Sequence, residues 1–338
     1  MPFRDIIGHG KLVALLSRSI AGDSLPPSLI LSGPSGVGKR LAALASAQAL
    51  NCLSPDTSTS QSGDRLAHDA CGVCSACTRI ARGVHPDVLV LEPNEKGNIR
   101  IEAARDLVER AAYRPFEGRR RVAIVDQAEA LEPGAQNALL KLLEEPPAGS
   151  VFLLVTAYPD LLLPTVRSRC PQLRFRPLSP DDVARALLAS GRGEDEARAV
   201  AALADGSIGR ALAATAGDLV DARGAAMNVL ADLATHDDVR RRMEQAKVLT
   251  GAGAGDRAQL AVQLRAMASL LRDVEVLESG ADRRALANPD LASRLDRVRA
   301  SFAGDRGRLA FLAIDRALAA LDRYANSKLV ADWLVLQL

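Results

Sequence analysis

The sequence predicts a parallel α/β domain over residues 1–177 followed by an all-helical remainder, on three observations. Short apolar runs alternate with amphipathic helical patterns up to about Pro177, which favours strands joined by helical crossovers. Val122-Ala123-Ile124-Val125 is apolar on both faces, as a central parallel strand should be. Beyond Ser179 no convincing strand follows, and apolar positions such as Leu309, Leu312, Ala313, Ala317, Ala320 and Leu321 recur at helical spacing. At 338 residues the chain has room for two or three domains, each with its own core.

The elements follow in order. A helix over Lys11–Ala21 leads to a strand at Leu29–Ser32, a glycine loop and a helix over Lys39–Leu50. The segment Ser54–Asp64, built of Ser, Thr, Pro, Asp, Gly and Gln, reads as a polar, mobile loop. Strands at Val88–Glu92, Arg121–Val125, Val151–Thr156 and Gln172–Phe175 alternate with helices over Ile101–Tyr113 and Ala135–Glu144 and a short one near Leu161. Pro146-Pro147 stops the helix before its strand. Ser179-Pro180-Asp181-Asp182 opens a new helix, with a Ser cap, Pro in the first position and acid in the first turn. Gly251-Ala252-Gly253-Ala254-Gly255 is the clearest loop of the helical half, and Leu329–Leu338 reads as helix.

Composition narrows the function classes. Hydrophobic residues make up 48% and charged residues 25%, which describes a globular rather than a disordered chain. Aromatics at 3% argue against a stacking platform for single-stranded nucleic acid, and a net charge of +2 argues neither way about nucleic acid. The N-terminus lacks a signal-type apolar region and no run approaches the ~20 apolar residues of a membrane span. The chain is therefore expected in the cytoplasm, away from membranes. There, five cysteines read as metal ligands or buried thiols before disulfides.

Ser28-Leu29-Ile30-Leu31-Ser32 followed by Gly33-Pro34-Ser35-Gly36-Val37-Gly38-Lys39-Arg40 is a strand feeding a glycine loop at the mouth of a helix. Backbone N–H groups and the helix N-terminus converge on an anion in such a loop, and Lys39 would neutralise the β/γ-phosphates of ATP. Gly33, Gly36, Gly38 and Lys39 are the candidate nucleotide ligands. A hydrolase needs Ser or Thr after the lysine to hold Mg²⁺; Arg40 stands there and cannot ligate a cation. Asp126 closes an apolar strand, as the metal-orienting acid of such a site does. The next residue is Gln127, an amide that can orient water but not take its proton at neutral pH. Glu129 is expected to face elsewhere. Nucleotide binding fits this set of residues; efficient hydrolysis does not.

Cys71-x2-Cys74-x2-Cys77, preceded by Cys52, offers four thiolates from two chain segments. That suits a closed, structural tetrahedral Zn²⁺ site. An iron–sulfur cluster or free thiols are the other readings of the same spacing. His68 and His85 flank the set without its spacing. Arg167-Ser168-Arg169-Cys170 is ordinary surface charge unless it serves a phosphate site, in which case Arg169 is a candidate arginine finger. Arg119-Arg120-Arg121, Arg240-Arg241-Arg242 and Arg283-Arg284 read as solvated turns or helix faces. Trp333 reads as core or subunit interface.

Together these residues resemble the bacterial clamp-loader subunits of the AAA+ class. Phe3-Arg4-Asp5-Ile6-Ile7-Gly8-His9 is similar to the N-terminal box of that family, with His9 where Gln is usual. The four cysteines resemble its zinc module, with a longer gap after Cys52. His85-Pro86-Asp87 and Asn137-Ala138-Leu139-Leu140-Lys141-Leu142-Leu143-Glu144-Glu145-Pro146-Pro147 are the most specific matches. Ser168-Arg169-Cys170 resembles the trans-acting finger motif, Gly206-Ser207-Ile208-Gly209-Arg210 the sensor of the lid, and Tyr324-Ala325-Asn326-Ser327-Lys328-Leu329 the collar signature.

The resemblance implies a P-loop AAA+ domain over 1–177 with a zinc module at about 51–80, a helical lid over 178–222 and an oligomerising collar over 223–338. Motor subunits keep Ser or Thr at position 40, Glu at position 127 and a sensor arginine where Gly209 falls here, with Arg210 one residue late; Thr156 lies near a further sensor position. These departures imply a non-firing, stator-like subunit in a DNA polymerase III clamp loader. It would contact the clamp-opening delta subunit on one side and present Arg169 to a gamma/tau-type motor on the other, in a complex that places the sliding clamp on primed DNA. A working ATPase motor and a zinc-dependent DNA-binding module are the rival readings.

Overall fold

The computed structural model describes residues 1–213, 216–236, 238–250, 257–282, 286–322 and 325–338. The chain forms two compact units, Met1–Leu212 and Ala213–Leu338.

The first unit begins with α1 (Gly10–Ala21), β1 (Ser28–Ser32) and α2 (Lys39–Asn51), then a hairpin of β2 (Asp56–Thr59) and β3 (Arg65–Asp69) and the short α3 (Ser75–Ala81). It continues through β4 (Val88–Leu91), α4 (Ile101–Ala111), β5 (Arg121–Val125), α5 (Pro133–Glu144), β6 (Ser150–Thr156), α6 (Pro164–Arg167) and β7 (Gln172–Arg174). Helices α7 (Pro180–Ala189), α8 (Glu194–Leu203) and α9 (Ile208–Ala213) follow, with Ser179 capping α7 through its side chain as its sequence predicts.

One sheet of order β4-β5-β6-β1-β7 organises this unit, and every neighbouring pair in it is parallel. The sheet is covered on both faces, which is why β1, β5 and β6 are buried along their whole length. Leu29, Leu31, Val122, Ile124, Leu153 and Val155 pack on one face with α1 and α2. Ile30, Ala123, Val125, Phe152 and Leu154 pack on the other with α4 and α5. All strands point the same way, so the loops after β1, β5 and β6 gather at one edge. The segments that enter β4, β6 and β7 lie at the opposite edge.

Two expectations are corrected here. The segment Ser54–Asp64 is not a bare loop: β2 lies within it and pairs antiparallel with β3. Its residues are largely exposed, so no hydrophobic alternation announced the strand, and polar bonds place it instead. Ser58 Oγ donates to the buried Asp69 carboxylate at 2.8 Å, and Ser60 N–H donates to Asp64 O at 2.9 Å across the turn.

Nor is Arg121 a solvated turn residue. It is buried and donates to Asp87 Oδ1 at 2.8 Å. The fully buried Asp87 carboxylate also accepts the N–H groups of Phe116, Glu117 and Gly118 at 2.7–2.9 Å. Burial raises the pKa of Asp87, but these four donors outweigh it and hold the group at about 2. His85-Pro86-Asp87 is thus a structural lock on the loop before β5. His85 is buried as well, with Nδ1 accepting the Asp87 N–H at 3.1 Å.

The second unit holds α10 (Ala216–Thr235), α11 (Val239–Thr250), α12 (Arg257–Glu278), α13 (Ala292–Phe302), α14 (Asp305–Asp322) and α15 (Ser327–Gln337). They close around a separate core that includes Leu230, Leu264, Met267, Leu270, Leu295, Phe302, Ile314 and Leu334. The predicted C-terminal helix is present as α15, capped by the Asn326 side chain, and Trp333 on it is exposed. The predicted loop Gly251–Gly255, together with Arg283, Arg284 and Tyr324, lies outside the described residues. Among the described residues no helix is long and apolar enough to cross a membrane.

Candidate phosphate site, metal centre and arginine

The glycine loop turns where a side chain has no room. Gly33 has φ +140°, and a Cβ there would stand 2.2 Å from Phe175 O. Gly36 has φ +74°, with Ser207 Oγ 2.3 Å from the place of its Cβ, and Gly38 caps α2 at φ +103°. Lys39 opens α2 and is 6% exposed. Its Nζ donates to Gly33 O and Pro34 O at 2.6 Å each. Burial lowers its pKa to about 8, while the neighbouring Glu129 and Asp126 carboxylates work against that fall. The arrangement has the parts of an anion cradle: a glycine turn, a helix N-terminus and a lysine whose ammonium would have to leave two carbonyls to meet a ligand.

Asp126 lies at the end of β5 on the same edge of the sheet. Its carboxyl is pushed above the ordinary range by burial, which the positive charge of Arg40 opposes. Arg40 pairs with Asp126 Oδ2 at 3.3 Å and, more closely still, with Glu92. Mg²⁺ does not fit this donor set: position 40 offers a guanidinium in place of a hydroxyl oxygen, and that guanidinium already engages the acid that would orient the ion. Gln127 is exposed, in the left-handed region at φ +51°.

Glu129 faces the site rather than away from it. It is the carboxylate that acts most strongly on Lys39, its Oε1 accepts the Ala157 N–H at 3.1 Å, and its Oε2 is buried without a hydrogen-bond partner.

Two further segments close over the loop; the resemblance singled out both motifs, but not the contacts that they make. Ser207 Oγ donates to Ser35 O at 2.9 Å and Gly209 N–H donates to Gly36 O at 2.9 Å. A Cβ on Gly209 would stand 2.9 Å from Gly36 Cα, so the two backbones touch. Arg210 pairs with Asp205 at 3.4 Å and also bears on Lys39. From the other side, His9 Nε2 lies 3.1 Å from Val37 O, and its ring stands edge-on to Phe175 at 4.8 Å. The signals available were the Gly206–Arg210 motif and the Gly8-His9 box, but neither motif states its partner.

The four cysteines converge. Cys52 follows α2, Cys71 follows β3, Cys74 caps α3 and Cys77 lies within it. Their Sγ atoms all lie within 4.8 Å of one another, so the cluster could hold a metal ion. Cys71 N–H donates to Cys52 Sγ at 3.2 Å, and Cys74 N–H to Cys71 Sγ at 3.3 Å, the polarity that suits thiolate ligands. Neither His68 nor His85 belongs to the cluster. Asp69 steadies it, accepting Phe3 N–H at 2.7 Å and Arg4 Nη1 at 3.2 Å, while Arg4 also donates to Cys71 O at 2.8 Å.

Arg169 follows α6 and donates to Thr165 O at 3.0 Å and Glu144 Oε2 at 3.1 Å. It precedes β7, whose Gln172 is in register with Ile30, whereas the glycine loop follows Ser32. Arg169 and the loop of its own chain therefore sit at opposite edges of the sheet. Cys170 is buried beside it, its thiol pushed up to about 11 by burial.

The sequence model of the family described as "DNA polymerase III, delta subunit" matches residues 8–179, just over half of the chain. A DNA polymerase III subunit delta' of Pseudomonas aeruginosa is 44% identical over 144 residues, which cover 42% of this chain and 41% of that protein. A DNA polymerase III subunit gamma/tau of Mycobacterium tuberculosis is 35% identical over 187 residues, covering 55% of this chain and 30% of that protein. The matched part thus spans well under two thirds of either relative. Among solved structures, a gamma-subunit-related protein of Thermotoga maritima aligns over 95% of this chain and 96% of its own, at 18% identity and a TM-score of 0.41. The match across the α/β unit, glycine loop and cysteine cluster included, places the chain in the DNA polymerase III delta-subunit family of clamp-loader proteins.

Proposed function

We propose that this chain is a delta-prime-type stator subunit of a DNA polymerase III clamp loader, working in the cytoplasm. In that role it joins the delta subunit and a gamma/tau-type motor through a helical collar over residues 223–338, with a lid over 178–222. The complex opens the sliding clamp and places it on primed DNA with the motors' ATP. Arg169 acts in trans, stabilising charge on the γ-phosphate held by the neighbouring motor. Cys52, Cys71, Cys74 and Cys77 hold a structural Zn²⁺ that fixes the end of α2 to α3. The chain's own site, with Gly33, Gly36, Gly38, Lys39 and Asp126, keeps the phosphate cradle but does not hydrolyse ATP, because Arg40 and Gln127 occupy the places of a metal-binding hydroxyl and a base.

The observation that carries this reading is the separation of Arg169 from its own glycine loop across the sheet. An arginine at that edge serves a phosphate only if another chain supplies it. The test is clamp- and DNA-stimulated ATP turnover of the loader reconstituted with its cognate motor and delta subunits, native against Arg169→Ala. A finger is worth about 10³ or more at its own site, so total turnover should fall severalfold while the complex stays assembled on gel filtration. Unchanged turnover in an intact complex would remove Arg169 from the mechanism.

The 35% match to a gamma/tau subunit favours a second reading, a working motor. Mg²⁺-dependent turnover by the chain alone, lost in Lys39→Ala, would establish it.

A further inference from the structure

Arg40 occupies the position from which a P-loop hydroxyl reaches Mg²⁺, and its guanidinium bridges Asp126 at 3.3 Å and Glu92. Asp126 is 8% exposed, with Oδ2 engaged by the guanidinium at 3.3 Å and Oδ1 accepting the Gln127 N–H at 3.1 Å. A divalent cation would have to displace a side chain that is always charged, carries only donors and repels it. The same guanidinium has five N–H groups, more than its two carboxylate partners engage, and the Arg40 side chain is half exposed. Lys39 supplies a second positive charge on the adjacent side of the loop, its Nζ 2.6 Å from two loop carbonyls. Glu92 and Asp126 are the charge partners of Arg40, and Glu129 is that of Lys39.

We propose that Arg40 is a built-in counter-ion in the place of the divalent cation, so that the Gly33–Lys39 loop takes the polyphosphate of a nucleotide without metal. The site then binds nucleoside di- or triphosphate in a fixed, non-reacting way, with no ion for a hydrolytic water to lean on. This goes beyond the role of Arg169 and does not depend on it. The coupled-turnover test and the binding test read different sites, so each can fail alone.

The experiment is a fluorescence titration of the full-length chain with a mant-labelled ADP. It is run in buffer stripped of divalent cations on chelating resin and again with Mg²⁺ added; a soluble chelator is avoided because it would also attack the cysteine cluster. The native chain should bind with a Kd that agrees within about twofold in the two buffers, the loss of charge-assisted bonds being what sets a larger gap. Arg40→Thr should bind about tenfold more weakly without metal and recover when Mg²⁺ is added. Arg40→Lys, which keeps the charge without the fork, should remain independent of Mg²⁺. The proposal is overturned if native affinity drops about tenfold on removing Mg²⁺, or if the native chain shows no saturable binding in either buffer. The native comparison stands even if Arg40→Thr misfolds.

Discussion

Lys39 is the residue on which the proposed phosphate site turns. Its Nζ is withdrawn onto Gly33 O and Pro34 O, and burial has brought its pKa down to about 8. The sign of the consequence follows from where the proton is held. Between about 8 and the ordinary 10.5 the unfolded chain binds a proton that the folded chain has released. Stability therefore gains from this group as pH rises through that window, whereas anion binding, which needs the ammonium, loses. Affinity for mant-ADP should fall as pH rises from 7 to 9, and Lys39→Ala should bind weakly at both values with the slope removed. A native affinity that is flat across this range would mean that Lys39 does not carry the charge that meets the phosphate.

At the scale of elements, the loop before β5 is held by one carboxylate. Asp87, just ahead of β4, gathers three consecutive backbone N–H groups and the buried Arg121, joining the starts of two adjacent strands. Asp87→Asn replaces an acceptor-only group by one with an amide that must face donors, and it leaves Arg121 buried without its counter-charge. We expect a loss of about 3 kcal/mol, read from the urea midpoint at neutral pH. The pH dependence separates the charge from mere shape. Because the Asp87 pKa is depressed to about 2 in the folded chain, its contribution is complete above the ordinary 3.8 and is lost as pH falls from there towards 2. The native chain should therefore lose more stability than Asp87→Asn across that interval. Equal losses would show that the carboxylate charge is not what holds the loop.

For the molecule as a whole, the sequence was informative wherever the chemistry is written in one stretch of chain. Gly33–Lys39, Asp126 at a strand end, and the Cys71-x2-Cys74-x2-Cys77 spacing were all legible, and the structure brings Cys52 to the other three cysteines. Apolar runs disclosed β1, β4, β5 and β6, while β7 (Gln172–Arg174) is largely exposed. What stayed hidden depends on partners far apart in sequence. Ser207 meets Ser35 across 172 positions and His9 meets Val37 across 28, and no local pattern records either pairing. Glu129 was expected to face elsewhere because it stands two residues beyond the position of the usual base; the chain instead enters a short 3₁₀ turn at Ala128–Ala130, which places the carboxylate beside Lys39. The hairpin escaped notice because polar bonds, not apolar alternation, define it.

The two units have separate hydrophobic cores, so a metal bound at the cysteine cluster has local work to do. Three buried or half-buried elements meet at the thiols: the end of α2, the return of the hairpin and the start of α3, with Gln48 of α2 donating to Cys77 O at 2.8 Å. Bound Zn²⁺ would join these through metal–sulfur bonds, and its loss would leave four mutually close thiols with little apolar packing around them. The purified chain should carry about one zinc, lost in a Cys74→Ser, Cys77→Ser double variant. Removing the metal should raise amide exchange in α2, the β2–β3 hairpin and α3 by about tenfold or more, and leave α12 and α14 unchanged, since their protection comes from the other core. Iron in place of zinc, with a visible absorption band, would move the cluster to iron–sulfur chemistry. A chain that binds no metal and exchanges identically after chelation would reduce the four cysteines to buried thiols.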